Sequence, residues 1–201
     1  DYDTPIEESV LAMDTLVKQG KIRHVAVSNF ASWQVAQMLW IADRRSAAAP
    51  IASQSMYNLL ARAIDVEHVA FCKEFRLGLV VYNPLAGGLL TGKHDPKRDP
   101  TEGTRFHKNE MYLKRYWNES MFSAVARLSD VAKRTGKTLV QLSLQWLLSH
   151  AHVDSVILGA SSMTHLDENL KAAEGTLDDD TLKACDAVYA QLAGPSPKYN
   201  R

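Results

Sequence analysis

The 201-residue chain carries 23 basic and 23 acidic residues, so its formal charge is zero, and 46% of its residues are apolar. That is the composition of a globular protein with room for a real core. It lacks the basic field that nucleic acid or an anionic membrane surface requires. No apolar run approaches membrane-spanning length and no signal peptide is legible, so neither partner is expected and a cytoplasmic location is.

The chain starts at Asp1 and opens a helix almost at once. Thr4 is placed as its N-cap, Pro5 suits the first helical position and Glu7 completes a capping box. Ile6, Val10, Met13 and Val17 would share its buried face, and Gly20 would end it. A domain that begins on a helix cap, with no strand before it, reads as part of a longer chain. A short strand follows over 22–27, ending at Ser28-Asn29-Phe30, then a helix over 33–43 with Val35, Met38 and Leu39 apolar. Residues 50–54 read as a second strand, 64–75 as a helix, and the run Leu77-Gly78-Leu79-Val80-Val81 as a third, buried parallel strand.

Beyond it, residues 91–118 are polar, charged and interrupted by Pro96, Pro100 and Gly103. That is too long for an ordinary connector and points to a functional loop or lid. Helices are expected over 121–134 (Val125, Leu128 and Val131 in register), 139–149 and 166–173, with a strand at 154–158 leading into Gly159-Ala160-Ser161-Ser162. Thr176 would cap a last helix, and an irregular tail runs from Pro195 to Arg201. The two cysteines, Cys72 and Cys185, fall inside helices without metal-ligand spacing and read as buried thiols in a reducing compartment; no metal site is expected.

Strands alternating with helices imply a parallel α/β sheet with right-handed crossovers. Four βα units are half of a (β/α)₈ barrel, although a doubly wound sheet has the same alternation. Chemistry in either fold gathers at strand ends. Four sets stand there: Ser28-Asn29, Gln54, Tyr82 with the loop Asn83-Pro84-Leu85-Ala86-Gly87-Gly88, and Gly159 to Ser162 entering a helix. Their chemistry fits a nicotinamide dinucleotide. Ser28, Asn29 and Gln54 offer the donors and acceptors a carboxamide needs, Tyr82 offers a stacking face, the loop backbone suits a pyrophosphate, and Ser161 and Ser162 stand at a helix N-terminus. Each set alone also has a plainer reading, as turn, cap or tight-bend chemistry.

Taken together, Val27-Ser28-Asn29-Phe30, Gln54, the run from Tyr82 to Lys93, and Leu158-Gly-Ala-Ser-Ser with Glu168-Asn169-Leu170 resemble the aldo-keto reductases, from Thr4 to the C-terminus. The Tyr82 motif, Arg115-Tyr116-Trp117 and the tail look most like the aflatoxin-aldehyde reductase branch. The resemblance implies a (β/α)₈ TIM barrel of which this chain is the second half, a single partial domain over 1–201. It implies NADPH, with NADH possible, and hydride transfer to a small carbonyl substrate. Carried over, Ser28, Asn29 and Gln54 hold the carboxamide and Tyr82 stacks on the ring. Asn83, Pro84, Leu85 and Gly87 line the pyrophosphate, and Lys93 and Arg105 add charge from the loop. Gly159, Ser161 and His165 surround the 2′-phosphate, with Glu168 and Asn169 on the adenine. His165 departs from the Gln or Arg usual there, which loosens the preference for NADPH.

The family's catalytic Asp, Tyr, Lys and His match no position of this sequence, so no catalytic residue is assigned and the isolated chain is expected to be inactive. Trp117 and Arg201 are substrate-pocket candidates by resemblance, and the pocket arginines would suit an anionic or dicarbonyl substrate. The alternative is a truncated nucleotide-binding or assembly element that reduces nothing. Four strands leave open edges and an apolar face, so self-association, or pairing with the missing first half, is expected.

Overall fold

The computed structural model describes residues 3–195; Arg201 lies outside the described residues. The described chain falls into two compact units. One comprises the residues up to Met56 with Ala63–Tyr82 and His152–Ser155; the other comprises Tyr57–Arg62, Asn83–Ala151 and the residues from Val156 on.

The first unit holds helices α1 (Ile6–Lys18), α2 (Ser32–Arg45) and α3 (His68–Glu74), strands β1 (Val25–Ser28), β2 (Pro50–Met56) and β3 (Gly78–Tyr82), and a 3₁₀ turn at Ala63–Val66. With β4 (Ser155–Val156) the strands form one sheet in straight chain order, β1-β2-β3-β4. A doubly wound sheet reverses order at a switch point; four consecutive strands without a reversal are the βα succession of a (β/α)₈ barrel. β1 and β2 pair in parallel, as do β2 and β3. The register sets Val27 beside Ser53 and Ser53 beside Leu79, with Ser28 beside Gln54 one step on. Val27, Ser53, Leu79, Ser55 and Val81 are buried, and the intervening residues form the other, more open face. Asp154 ties β4 to β3: its carboxylate accepts the Leu79 N–H at 2.7 Å and its own N–H donates to Leu79 O at 3.0 Å.

Details at helix ends differ from the sequence expectations. The N-cap position of α1 falls on Pro5, without a side-chain cap. Glu7 and Glu8 in the first turn complement the helix N-terminus instead. Met13 is 40% exposed, and Asp14 takes its place on the buried face. Asp14 accepts the Ala48 N–H at 3.0 Å and so fastens α1 to the chain entering β2.

The second unit holds a 3₁₀ stretch at Ala86–Thr91 and helices α4 (Glu110–Tyr116), α5 (Glu119–Arg134), α6 (Leu139–Leu148), α7 (Met163–Ala173) and α8 (Asp179–Ala193). The span 91–118, expected as a loop, thus contains a helix, capped by Asn109, whose side chain accepts the Tyr112 N–H. α8 is capped by Asp178 rather than Thr176. α5 packs on α8 and α6 on α7; burying Val125, Leu128 and Val131 of α5 contributes about 1.5–3 kcal/mol each. Arg62 is buried between the rings of Trp146 (4.1 Å) and Tyr189 (4.7 Å), and its guanidinium meets Asp186 at 2.6 Å. Both cysteines are free and buried, with thiols pushed up to about 11 mainly by burial. Among the described residues no helix is long and apolar enough to cross a membrane.

Under the sheet of the first unit lies a polar seam. His68 of α3 bonds Ser32 of α2 through Nδ1 and Ser53 of β2 through Nε2, both at 2.9 Å, and its ring stacks on Phe71. Burial lowers the His68 pKa, with the neighbouring Glu67 carboxylate opposing. A folded-state pKa below the unfolded value means that the unfolded chain takes up a proton the folded chain refuses. The stability contributed is therefore full above about pH 6.5 and declines as pH falls through the folded value. Melting temperatures at pH 7.5 and 5.0 should show the wild type losing more than His68→Gln. The variant itself should be weaker by about 1–3 kcal/mol at pH 7.5, because two buried hydroxyls lose their partner.

Candidate functional site

Parallel strands end on one side of a sheet, so residues that follow them collect at one rim. In the first unit the register brings Ser28, the last residue of β1, beside Gln54, which lies two residues before the end of β2 because that strand runs on to Met56 rather than stopping at 54. The chain then turns at Asn29, which adopts a left-handed conformation (φ 59°). Asn29 N–H donates to Gln54 O at 3.0 Å and its amide Nδ2 donates to Ser28 Oγ at 3.2 Å. Tyr82, the last residue of β3, donates its hydroxyl to Asn29 Oδ1 at 2.9 Å. Ser28, Asn29 and Tyr82 are thus joined through their side chains, Gln54 joins them through its backbone oxygen, and none of the four is buried. The tyrosine ring is held by its own hydroxyl, and the amide of Asn29 by two neighbours.

In the second unit the chain continues from Asn83 through a turn with positive φ at Asn83 (62°), Ala86 (50°), Gly87 (71°) and Gly88 (104°). The reason for glycine at position 87 is concrete: a Cβ there would stand 2.7 Å from the ring of Tyr112. The backbone donors at positions 86 to 88 of this turn are spent internally. Ala86 N–H donates to Asn83 O, Gly87 N–H to Asn83 Oδ1 (2.7 Å), and Gly88 N–H to Leu85 O. Pro84 has no N–H. A row of free amides ready for a phosphate is therefore not what this turn presents, and charge for an anion falls to side chains of the same unit.

Arg105 is the best placed of these. It is exposed, donates from Nη1 to Tyr112 Oη at 3.2 Å, and its Nη2 lies 3.8 Å from where a Gly159 Cβ would stand. At the start of α7, Ser162 caps the helix by accepting the His165 N–H, and Ser161 Oγ shares a hydrogen bond with His165 Nδ1 at 3.0 Å. Asn169 is buried and donates to Gly159 O at 3.2 Å, so this amide braces the turn at Gly159. Lys93 and Glu168 are exposed. Trp117 lines an open groove with Phe122, Pro96 and Lys97, and packs edge-on against His94, whose imidazole pKa is lowered by burial and by Lys93.

Sequence reasoning missed Asn58 and Tyr116. Both are fully buried and hydrogen-bond to Asn83 from behind the turn. The available signal was the polar Asn58 following an aromatic at the end of β2.

With this geometry in view, comparison with known proteins is direct. The family model described as "Aldo/keto reductase family" matches residues 1–190. Over its whole length the chain is 34% identical to mouse aflatoxin B1 aldehyde reductase member 2, covering 59% of that protein. It is 33% identical to human aldo-keto reductase family 7 member A3, covering all of this chain and 65% of the relative. A probable voltage-gated potassium channel subunit beta of Arabidopsis thaliana is 32% identical over 87% of this chain and 54% of its own length. The chain spans roughly three-fifths of the first two relatives. A family match along nearly every residue, carried by strand ends that assemble as described, leaves one assignment: the chain belongs to the aldo/keto reductase family.

Proposed function

We propose that this chain carries the cofactor-binding side of an NADPH-dependent reductase of aldehydes and ketones. The observation that carries the reading is the side-chain set of Ser28, Asn29 and Tyr82, hydrogen-bonded to one another at the ends of β1 and β3, with Gln54 of β2 in register beside Ser28. A nicotinamide ring needs a flat apolar face and a mixed donor and acceptor partner for its carboxamide. Tyr82 offers the face; Ser28, Asn29 and Gln54 offer the partner. The dinucleotide, when bound, supplies the hydride.

The second unit, taken by itself, carries groups suited to the phosphates and adenosine of such a cofactor. Arg105 beside Gly159 offers a guanidinium for phosphate, and Lys93 adds charge from the same loop. Asn83, Pro84, Leu85 and Gly87 form the turn that would line the pyrophosphate. Ser161 and His165 at the start of α7 suit a 2′-phosphate, with Glu168 and Asn169 one turn on. An imidazole meets that phosphate with its ring N–H, whereas arginine would bring a fixed charge and a fork of donors. Selection of NADPH over NADH therefore rests on His165. Trp117 would form an apolar wall for a carbonyl substrate, in keeping with the aldehyde in the name of the mouse relative.

A second reading has one observation in its favour, the likeness to a protein named as a channel subunit. On that reading the chain binds a nucleotide and acts by assembly. Turnover separates the two.

Fluorescence titration with NADPH should show Tyr82→Ala binding roughly tenfold more weakly than wild type, from the lost stacking face and the lost hold on Asn29. Tyr82→Phe should fall between them, and equal affinities would remove Tyr82 from the site. His165→Arg should raise the NADPH-to-NADH affinity ratio roughly three- to tenfold at pH 8, by supplying a permanent charge. An unchanged ratio would place the 2′-phosphate elsewhere. The family's proton donor matches none of these 201 residues, so the chain by itself should bind NADPH and oxidise none of it when aldehyde is added. The protein isolated from its natural source should oxidise it on the first reading; cofactor binding without turnover there would favour the second.

A further inference from the structure

The turn after β3 is held in a backbone conformation that residues other than glycine adopt only when their surroundings insist. Asn83 and Ala86 are both left-handed, and two glycines follow with positive φ. What insists lies behind the turn, in the same unit. Asn58, fully buried, donates from Nδ2 to Asn83 O at 3.0 Å and to Tyr116 Oη at 3.3 Å. Its Oδ1 accepts the N–H groups of Leu60 and Ala61, both at 3.0 Å. Only one orientation of the amide satisfies all four bonds. Tyr116 Oη also accepts Asn83 Nδ2 at 3.0 Å, which leaves Asn83 Oδ1 facing the Gly87 N–H. Helix α4 grips the turn a second time, because the ring of Tyr112 fills the space a Gly87 side chain would need. The hydroxyl of that same Tyr112 receives Arg105.

We propose that Asn58 and Tyr116 are positioning residues for the dinucleotide: acting through Asn83, they hold the turn after β3 in its binding conformation before any ligand arrives, with α4 also setting Arg105. The inference rests on the reading that this turn lines the diphosphate. Neither side chain touches the ligand. Their effect is on the fraction of molecules with the turn already formed, and apparent affinity falls by the factor by which that fraction falls. Removing the Tyr116 hydroxyl takes away the acceptor the two asparagine amides share; Asn58 keeps its other three bonds, whereas Asn83 is left with its Gly87 bond alone and is the amide released to reorient.

The test uses Tyr116→Phe in the native protein and two probes, NADP⁺ and adenosine 2′-monophosphate, which lacks the diphosphate. Affinity for NADP⁺ should fall at least fivefold while that for the monophosphate stays within twofold. A variant that was merely less well folded would lose both together. In an Asn83→Ala background Tyr116→Phe should have no further effect, because the route runs through Asn83. Unchanged NADP⁺ affinity, or parallel loss of both probes, overturns the proposal. If wild type binds neither probe, the proposed function itself fails, which is a different result from wild-type binding that Tyr116→Phe leaves intact. Should the variant not fold, amide exchange of wild type decides. The Gly87 N–H should be equally protected with and without NADP⁺ if the protein preforms the turn. Slowing by tenfold or more on adding NADP⁺ would show that the ligand forms it and overturn the idea.

Discussion

Parallel pairing in register is the constraint on which the candidate site depends. Parallel neighbours end on the same side, so a one-residue slip of β1 against β2 would send Ser28 to the helix-facing side and turn Val27 outward. Burial prevents the slip. Val27, Ser53 and Leu79 lie side by side on the buried face, and Ser55 and Val81 continue it. With that face pinned, Gln54 can only stand beside Ser28, and the Asn29 N–H can only meet Gln54 O. The ligand-facing groups are placed by residues that have nothing to do with a ligand.

Hydrogen-bond accounting separates what the two halves of the chemistry can do. In the first unit, polar side chains at the strand ends bond to each other while keeping an exposed side, so they are oriented and still available. In the second unit, backbone amides of the glycine turn are committed to Asn83 and Leu85. A turn of that kind contributes shape and close approach, and an anion beside it must be met by guanidinium, ammonium or hydroxyl groups. Arg105 next to Gly159 and the Ser161–His165 pair are of that type. Glycine at 87 thus answers to Tyr112 first, a reason that the motif alone does not reveal.

Most of the architecture was legible because it rests on long, regular signals. The β-branched run at β1, the apolar β3 and the 3.6-residue stripe of α5 each state their element directly. Local competition was less readable. Thr4 and Thr176 look like caps, but the helices start later, at Ile6 and Asp179, where Pro5 and Asp178 occupy the cap positions. Met13 fits the apolar period, yet Asp14 is the buried residue, because its carboxylate finds the Ala48 N–H. Helix α4 was hidden by the prolines and charges around it; what makes it a helix is the Asn109 cap and the tyrosines it buries, Tyr112 and Tyr116. Asn58 and Tyr116 were invisible for a related reason. Their partner is a carbonyl and an amide at Asn83, distant in sequence, and no spacing rule connects them.

The two asparagines that follow β1 and β3 show why residue type at a strand end carries more than a backbone requirement. Asn29 and Asn83 both sit at positive φ, about 60° in each case. Glycine would satisfy that conformation at least as well. Glycine, however, has no amide. Asn29 uses its Oδ1 to hold the Tyr82 hydroxyl and its Nδ2 to reach Ser28. Asn83 uses its Oδ1 to hold the Gly87 N–H and its Nδ2 to reach Tyr116. Each side chain closes a loop of contacts that starts from its own strained backbone, so the left-handed turn and the side-chain network stabilise one another. Replacing either asparagine by glycine would keep the bend and release what the bend is there to hold. The conformation makes asparagine permissible at these two positions, and the network makes it useful.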